Sequence, residues 1–239
     1  MYSYFIEKNI EINDIYKFSK DDAHHIKNVL RLKSGEIVRL VFNSNAYFAK
    51  IGYSNKEPNA FVYDIDKTKN ELDINITLIQ ALIKNDKFEL VLQKVCELGV
   101  SNIIPMNSKY VNVNSDIIRN KKDRYNKILL EAAKQSKREV VPILADIIKL
   151  EECLGYKSDI NIFAYESEFE KTNNISKYIE KGKNITIIIG CEGGLSSEEA
   201  TFLKNNNFIP VSLGKRILRA ETASIYALSV ISSVNEVNQ

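Results

Sequence analysis

Two short apolar segments near the C terminus each end in a glycine-bearing turn, and this pattern restricts the fold more than any other feature of the chain. Residues 184–189 precede Gly190-Cys-Glu-Gly-Gly194, and residues 208–213 precede Gly214. Glycine directly after a strand permits positive φ and a close approach of the backbone to a ligand. Ligands of open α/β sheets bind outside the carboxyl ends of the strands. The two turns therefore predict one shared binding site.

The alternation of strand-like and helix-like segments extends this prediction over the region from residue 72 onward. Alternation of this kind is typical of a parallel sheet covered by helices. Strands are expected at residues 74–82, 103–106, 160–164, 185–189 and 209–213. Helices are expected from a cap at Asp86 to a stop at Gly99, at about residues 121–137, from the capping box at Ser196, and at about residues 221–235.

Residues 1–70 have a different pattern, with short strand-like runs separated by Asn and Gly turns. This pattern predicts a small β-barrel. Residues 19–22 resemble a capping box and predict a short helix through His24, His25 and Val29. Because residues 66–71 are polar, they are the expected linker. We therefore predict two domains, one at residues 1–70 and one at residues 72–239.

The composition of the chain limits the classes of protein to which it can belong. The chain of 239 residues is 44% apolar and 27% charged, as is usual for a soluble globular protein. It contains no apolar run long enough to cross a bilayer and no visible signal peptide, so a reduced cytoplasm is expected. The three cysteines are scattered and lack metal-ligand spacing, and there are only two histidines. A metal site is therefore not expected.

Positive charge is concentrated between Arg119 and Arg138, where eight basic residues face only two acidic ones. A charge run of this kind most often marks a solvated helix face. It is also what a surface that contacts nucleic-acid phosphates looks like. The charge pattern alone leaves both interpretations open.

Five segments together resemble a known family. Gly190–Gly194 resembles a GPEGG motif, and Leu213–Ala223 resembles the LGxRILRxETA motif of the SPOUT methyltransferases of the 16S rRNA (uracil-1498 N3)-methyltransferase family. His24–Lys33 resembles the family's HHxxxVLRLK segment, Lys94–Pro105 its KxxELGV…P stretch, and Glu131–Pro142 its EAxxQSxRxxxP helix end. These segments occur in the family's order over nearly the whole chain, which makes coincidence an unsatisfactory explanation.

The resemblance implies a fold and a set of partners. The implied fold is an α/β SPOUT domain with a trefoil knot, an exception to the rule against threaded chains, preceded by a PUA-like β-barrel that binds RNA. The implied partners are S-adenosylmethionine (SAM) as cofactor, 16S rRNA or the 30S subunit as substrate, and a second copy of the chain in a homodimer. Cys191 departs from the family, which has proline there. Because proline fixes φ, its absence puts the stiffness of the turn in question.

The resemblance also implies which residues contact the cofactor. Without side chains in the way, the backbone of the glycine turns can enclose the adenosine part of SAM. The turn at Gly214 is expected around adenine, and the turn at Gly190–Gly194 beside the ribose and the methionine part. The expected contacts are Tyr165, Gly190, Glu192, Gly193, Gly194, Leu213, Gly214, Ile217, Leu218 and Thr222, of which Tyr165, like Glu166, is a weaker candidate.

Methylation at N3 of uridine requires removal of a weakly acidic proton or stabilisation of the resulting anion. Arg219 is the candidate for the second task, by donation to a uracil carbonyl oxygen. Glu192 or Glu221 is a candidate to accept the proton or to orient Arg219. Glu221 also suits a purely structural role, since the first turn of a helix favours a carboxylate. The sequence leaves these catalytic roles open.

Candidate RNA contacts come from three basic segments. They are His24, His25, Arg31, Lys33, Lys94, Lys122, Arg124 and Arg138. The alternative for the histidines is packing, and for Lys94 an exposed pair with Glu97. The sequence also allows two other functions: a non-catalytic RNA-binding protein that retains the SPOUT fold, and a nucleotide hydrolase. The hydrolase is disfavoured because the chain has no GxxxxGK[ST] sequence.

Overall fold

The structure, a computed structural model, describes residues 1–165 and 173–236. The chain divides into two compact units. The first comprises Met1–Glu71 with Ala133–Val140, and the second comprises Leu72–Ala132 with Val141–Gln239. The expected boundary between independent domains at residues 70–72 stays a prediction. None of the described helices is long and apolar enough to span a membrane.

The first unit is a five-stranded sheet. Its strands are β1 (Ser3–Phe5), β2 (Ile15–Lys17), β3 (Ile37–Phe42), β4 (Asn45–Ser54) and β5 (Glu57–Asp66), in the spatial order β1-β3-β4-β5-β2. Two-residue loops join β3 to β4 and β4 to β5. All four loop residues have positive φ, between 47° and 66°, as the turns that match the twist of a hairpin require. Asn43 and Asn55 supply the first position of each loop.

A short helical segment covers the apolar face of this sheet. Helix α1 (Lys20–His24) continues into a π-helix (His25–Leu30) that ends at Arg31, where φ is 53°. The Ser19 side chain accepts the Asp22 N–H, so the helix start expected from the sequence is confirmed. Ile26 of the π-helix is fully buried and packs with residues of the sheet such as Tyr4, Leu40 and Val62.

A buried arginine attaches residues 133–140 to this unit. Arg39 of β3 has no exposed surface; its Nε donates to Asp66 Oδ2 at 2.7 Å, and its guanidinium also pairs with the Glu139 carboxylate. Burial raises the pKa of Asp66, but hydrogen bonds from Arg39 and Thr68 outweigh it, so the pKa lies below its ordinary value. A buried charge is tolerated only with such partners, because desolvation of an unpaired ion costs several kcal/mol.

The second unit contains a six-stranded sheet in which every pairing is parallel. Its strands are β6 (Ile76–Ala81), β7 (Asn102–Met106), β8 (Ile143–Leu144), β9 (Ile160–Ala164), β10 (Ile185–Ile189) and β11 (Ile209–Val211), in the order β11-β9-β10-β6-β7-β8. The helices are α2 (Asn85–Glu97), α3 (Ser115–Arg119), α4 (Lys122–Gln135), α5 (Ser197–Asn205) and α6 (Ala220–Glu236), with 3-10 segments at Leu150–Tyr156 and Ile175–Lys177.

The α/β class expected from the alternation is confirmed, while the trefoil knot stays a prediction. The Ser196–Glu199 capping box is present at the start of α5. Helix α2 stops before Gly99, which has a φ of +87°, as expected. The expected cap of α2 was wrong: Lys84 occupies that position and Asp86 lies in the first turn. Helix α4 ends two residues early because Lys137 takes a φ of 59°, which no helix continues.

Removal of the buried arginine is expected to destabilise the first unit strongly. Arg39→Ala leaves the Asp66 and Glu139 carboxylates buried without their cation, which costs on the order of 3–5 kcal/mol. Lys27→Ala, which removes an exposed ion pair with Glu57 in the same unit, is the matched control and is expected to cost less than about 1 kcal/mol. Urea unfolding measures both, and equal losses would contradict a structural role for Arg39.

Candidate active site

A cavity of about 370 Å³ lies at the carboxyl ends of β9, β10 and β11. These strands are neighbours in the parallel sheet, so Ala164, Ile189 and Val211, their last residues, reach the same edge. The wall consists of Ala164, Tyr165, residues 189–194, residues 211–218, Ala220 and Ala223. Its volume lies within the range of small-molecule sites.

The turn after β10 depends on glycine. Cys191 and Gly194 bridge each other across a tight turn, in which the Gly194 N–H donates to the Cys191 carbonyl at 2.9 Å and Gly194 has a φ of +72°. A Cβ on Gly190 would lie 2.7 Å from the carbonyl carbon of Gly194, and a Cβ on Gly193 would lie 2.9 Å from the Cβ of Tyr110. The bare backbone therefore lets the turn fold onto itself and lets Tyr110 pack against its outer face.

Cys191, at the position where the resembled family has proline, faces inward. It is 5% exposed, and its Sγ lies 3.7 Å from the Gly194 carbonyl oxygen and 4.0 Å from Ser108 Oγ. The hydrogen bond between Gly194 and Cys191 closes the turn without the fixed φ of proline. Cys191 is therefore a packed residue of the turn.

The turn after β11 forms the opposite wall. The N–H of Gly214 donates to Ser212 Oγ at 3.1 Å, and Gly214 has a φ of +116°, which L side chains rarely adopt. The following residues run along the cavity with most of the Ile217 side chain exposed, and they lead into α6 at Ala220. An exposed isoleucine at the rim of a cavity provides an apolar surface for a ligand.

Nine of the ten expected cofactor contacts line this one cavity. They are Tyr165, Gly190, Glu192, Gly193, Gly194, Leu213, Gly214, Ile217 and Leu218. Thr222 does not belong to the wall; it is exposed on α6. Glu166 lies outside the described residues. Their role in binding a cofactor stays a prediction, but the structure places these nine residues together.

The three candidate catalytic residues occupy different positions. Arg219 is exposed and lies between two wall residues, Leu218 and Ala220. The Glu192 carboxylate is at the wall, and Lys87 Nζ of α2 lies 3.3 Å from its Oε1. Glu221 does not line the wall: it is buried with its Oε2 3.8 Å from the same Lys87 Nζ. This placement favours the structural alternative for Glu221 over a role as base.

Sequence reasoning missed several residues around the cavity. Lys87 had no local signal, because a lysine in the first turn of a helix is ordinary. Tyr110, which packs on Gly193, lies in a loop without a motif. Gln80 is a fully buried polar residue of β6 that contacts the Gly190 carbonyl. A glutamine inside the apolar run at residues 76–83 was the one signal available.

Most of the candidate RNA contacts are accessible. His24, Arg31 and Lys33 are exposed, while His25 is half-buried and its ring makes a T-shaped contact with the ring of Tyr4. Lys94 pairs with Glu97 at 2.9 Å, as the alternative interpretation expected. Lys122 and Arg124 pair with Asp146 and Glu89, whose pKa values these hydrogen bonds hold below their ordinary range. The Lys122–Asp146 pair is exposed and contributes little to stability. The Arg124–Glu89 pair has two hydrogen bonds of 2.7 Å, and the Glu89 side chain is 17% exposed.

Arg138 requires a correction. It is 4% exposed, and its guanidinium donates to both oxygens of the Glu71 carboxylate, with a shortest N···O distance of 2.6 Å. The backbone N–H groups of Glu139 and Val140 donate to the same carboxylate. With its charge buried and its donors engaged, Arg138 stabilises the first unit and is not a surface for RNA.

No metal cluster accompanies the cavity. Within residues 1–165 and 173–236, no three His, Cys, Asp or Glu side chains are grouped so that they could hold a metal ion.

Known proteins share both parts of this architecture. An RNA methyltransferase domain family matches residues 70–232, and an RNA methyltransferase PUA domain family matches residues 18–58. The ribosomal RNA small subunit methyltransferase E of Bacillus subtilis is 32% identical over 99% of this chain and 98% of its own. The chain belongs to this family of RNA methyltransferases. It is therefore an enzyme of that class.

Other members of the family agree over nearly the full length. The ribosomal RNA small subunit methyltransferase E of Rickettsia conorii is 32% identical over 95% of this chain and 93% of its own. The crystal structure of the enzyme of that name from Neisseria gonorrhoeae, bound to S-adenosyl methionine, is 28% identical and covers 98% of each chain with a TM-score of 0.87. The family implied by the sequence motifs is thus confirmed, together with an α/β RNA methyltransferase domain and a PUA domain, while the trefoil knot stays a prediction.

Proposed function

We propose that this protein transfers a methyl group from SAM to N3 of a uridine in 16S rRNA, of the uridine 1498 type. The observation that carries the proposal is the single cavity bounded by both glycine turns at the carboxyl ends of three parallel strands. Membership of the RNA methyltransferase family supports the reaction class. The relatives named for the small ribosomal subunit support the substrate. Ribosomal RNA as substrate also favours the cytoplasm as its compartment.

The residues at the cavity fit this cofactor. Gly190 and Gly194 pack so closely that a side chain at Gly190 would meet the backbone, which leaves bare peptide groups facing the ligand. Leu213, Ile217 and Leu218 supply an apolar side suited to adenine. Bound SAM supplies an electrophilic sulfonium methyl group. A neighbouring solved structure of 28% identity is named as bound to S-adenosyl methionine, in agreement with this assignment.

The chain's own contribution to the chemistry is orientation and stabilisation of charge. Uridine N3 must lose its proton as the methyl group arrives, and the negative charge spreads onto the two carbonyl oxygens. The Arg219 guanidinium, exposed beside the wall, is the group proposed to donate to one of them. Glu192 is the one candidate carboxylate at the wall, and it is proposed to accept the N3 proton or to orient Arg219. Most of the rate then comes from alignment.

The RNA is proposed to bind through the accessible basic residues. Arg31 and Lys33 in the first unit and Lys122 and Arg124 in the second present cationic side chains to solvent, and His24 presents an exposed imidazole. Contacts of this kind position a nucleic acid through its phosphates and make binding depend on salt. A non-catalytic RNA-binding protein would share these contacts, so the discriminating measurement is methyl transfer itself.

The experiment is to map uridine methylation in small-subunit rRNA by mass spectrometry, in cells that lack the gene and carry defined copies of it. The wild-type copy is expected to restore one N3-methyluridine. Gly190→Ala, which places a Cβ 2.7 Å from the Gly194 backbone, is expected to abolish it, because the turn must open. Gly155→Ala, whose Cβ would meet nothing within 4 Å, is the matched control and is expected to restore it. Absence of methylation with the wild-type copy would refute the proposed reaction.

Arg219 is expected to act on the rate, and exposed arginines elsewhere on binding. Arg219→Ala should lower the single-turnover rate at saturating RNA and SAM by about 10²-fold or more, if it faces developing charge. Arg31→Ala, a matched exposed arginine, should weaken RNA binding and flatten its salt dependence without changing that rate. An Arg219→Ala enzyme that needs more RNA but reaches the wild-type rate would make Arg219 a binding residue.

A homodimer is proposed as the active form. Helix α6 buries one face, while Tyr226 stays 38% exposed and Val230 and Val234 are only half-buried on other parts of its surface. Such an apolar surface suits a partner helix. Light scattering at micromolar concentration should give twice the chain mass, and Tyr226→Asp should give the monomer. Val29→Asp, an exposed apolar control in the first unit, should leave the dimer intact. A fully active wild-type monomer would contradict the dimer.

A further inference from the structure

Gln80 of β6 connects two elements that frame the cavity. Its Nε2 donates to the Gly190 carbonyl oxygen at 3.4 Å and to the Ala81 carbonyl oxygen at 2.9 Å. Its Oε1 accepts the hydroxyl of Ser224 in α6. Gln80 and Ser224 have no exposed surface. Both ends of this buried amide are therefore engaged, one with the turn after β10 and the other with α6.

Lys87 of α2 also connects the turn after β10 to α6, through charged contacts. Its Nζ lies 3.3 Å from Glu192 Oε1 in the turn and 3.8 Å from Glu221 Oε2 in α6. Glu221 Oε2 is buried and accepts no hydrogen bond from the described residues, so the Lys87 ammonium is the positive group beside it. The Lys87 side chain is 23% exposed, which leaves the pair partly shielded from solvent.

The two bridges join the same two elements at different depths. Gln80 holds Gly190 at the start of the turn, and Lys87 holds Glu192 near its tip. On α6 their partners are Ser224 and Glu221, which lie in its first turns directly after the loop that forms the other wall. A fixed start of α6 fixes the end of that loop.

We propose that Gln80 and Lys87 are positioning residues, which hold the turn at residues 190–194 at a set distance from the start of α6 and thereby fix the width of the cofactor cavity. This inference rests on the proposed use of the cavity for SAM. Apolar packing would stabilise the same region without directing the Gly190 carbonyl or the Glu192 carboxylate. Hydrogen bonds and ion pairs are directional, and supporting contacts of this kind decide how precisely a site is preformed.

The test of Gln80 compares cofactor affinity with stability. Gln80→Leu keeps the volume and removes both bridging hydrogen bonds; we expect the dissociation constants of SAM and of S-adenosylhomocysteine, measured by calorimetry, to rise about tenfold. Thr186→Val is the matched control, because Thr186 of β10 is fully buried and its hydroxyl donates to the Tyr156 carbonyl at 2.6 Å. It should lower the unfolding midpoint without weakening either ligand. Ser224→Ala, which loses only the hydroxyl donor, replaces Gln80→Leu if that variant does not fold.

The test of Lys87 uses charge and salt. Lys87→Met is expected to weaken both ligands several-fold at low salt, with a difference from wild type that shrinks as salt screens the pairs. The thioether product S-adenosylhomocysteine lacks the sulfonium charge. If Lys87→Met binds it less tightly than wild type does, the loss reflects positioning and not a change in the electrostatic interaction between residue 87 and the sulfonium. Lys87→Arg keeps the charge and should restore most of the affinity. The Gln80→Leu effect should not depend on salt, because that bridge is uncharged.

The outcomes separate the two proposals. A wild-type protein that binds neither ligand would refute the proposed function. A wild-type protein that binds both, with Gln80→Leu and Lys87→Met that are folded and bind equally well, would overturn the positioning role and leave the proposed function standing. Loss of stability alone, as in Thr186→Val, would likewise make the two bridges structural.

Discussion

The parallel alignment of β9, β10 and β11 is the constraint on which the candidate site depends. Ile185 pairs with Ile160, and Ile162 with Ile209, so the three strands end at one edge of the sheet. Beyond that edge the backbone N–H and C=O groups no longer form hydrogen bonds between strands. The chain reverses there on glycines, some at positive φ, and its peptide groups face a cavity. The position of the cavity therefore follows from the alignment of the strands in the sheet.

In each unit, polar contacts between residues far apart in sequence hold separate segments of the chain together. In the first unit, Arg39 forms ion pairs with Asp66 and Glu139, which lie 27 and 100 residues away in the sequence. In the second unit, Gln80 reaches Gly190 and Ser224, 110 and 144 residues away. Buried groups of this kind must find their partners, because an unmatched one costs free energy. Arrangements that separate these partners are therefore disfavoured.

The corrections to the site residues Arg138 and Glu221 share one cause, which is that a residue's partner is invisible in its local sequence. Arg138 belongs to a basic segment, and its neighbours Lys122 and Arg124 are indeed at the surface. Only Glu71, 67 residues earlier, turns Arg138 into a buried structural residue. Glu221 stands in a motif next to Arg219, yet its carboxylate meets Lys87 and not the cavity wall. Successive helical residues project in different directions, so proximity along a motif does not imply a shared face.

The sequence by itself determined most elements of the second unit, although not β8 or α3, and most of the cavity wall. The apolar pattern of a strand, a capping box and a glycine stop are each encoded within a few residues, and the wall consists mainly of two continuous segments, residues 189–194 and 211–218. The tertiary structure alone decided which side chains support that wall. Gln80, Lys87 and Tyr110 come from other parts of the chain, and their contacts with the turn arise only when the strands align and α2 and α6 pack beside them. Local propensity carries no information on such long-range contacts, because they depend on how the whole chain folds.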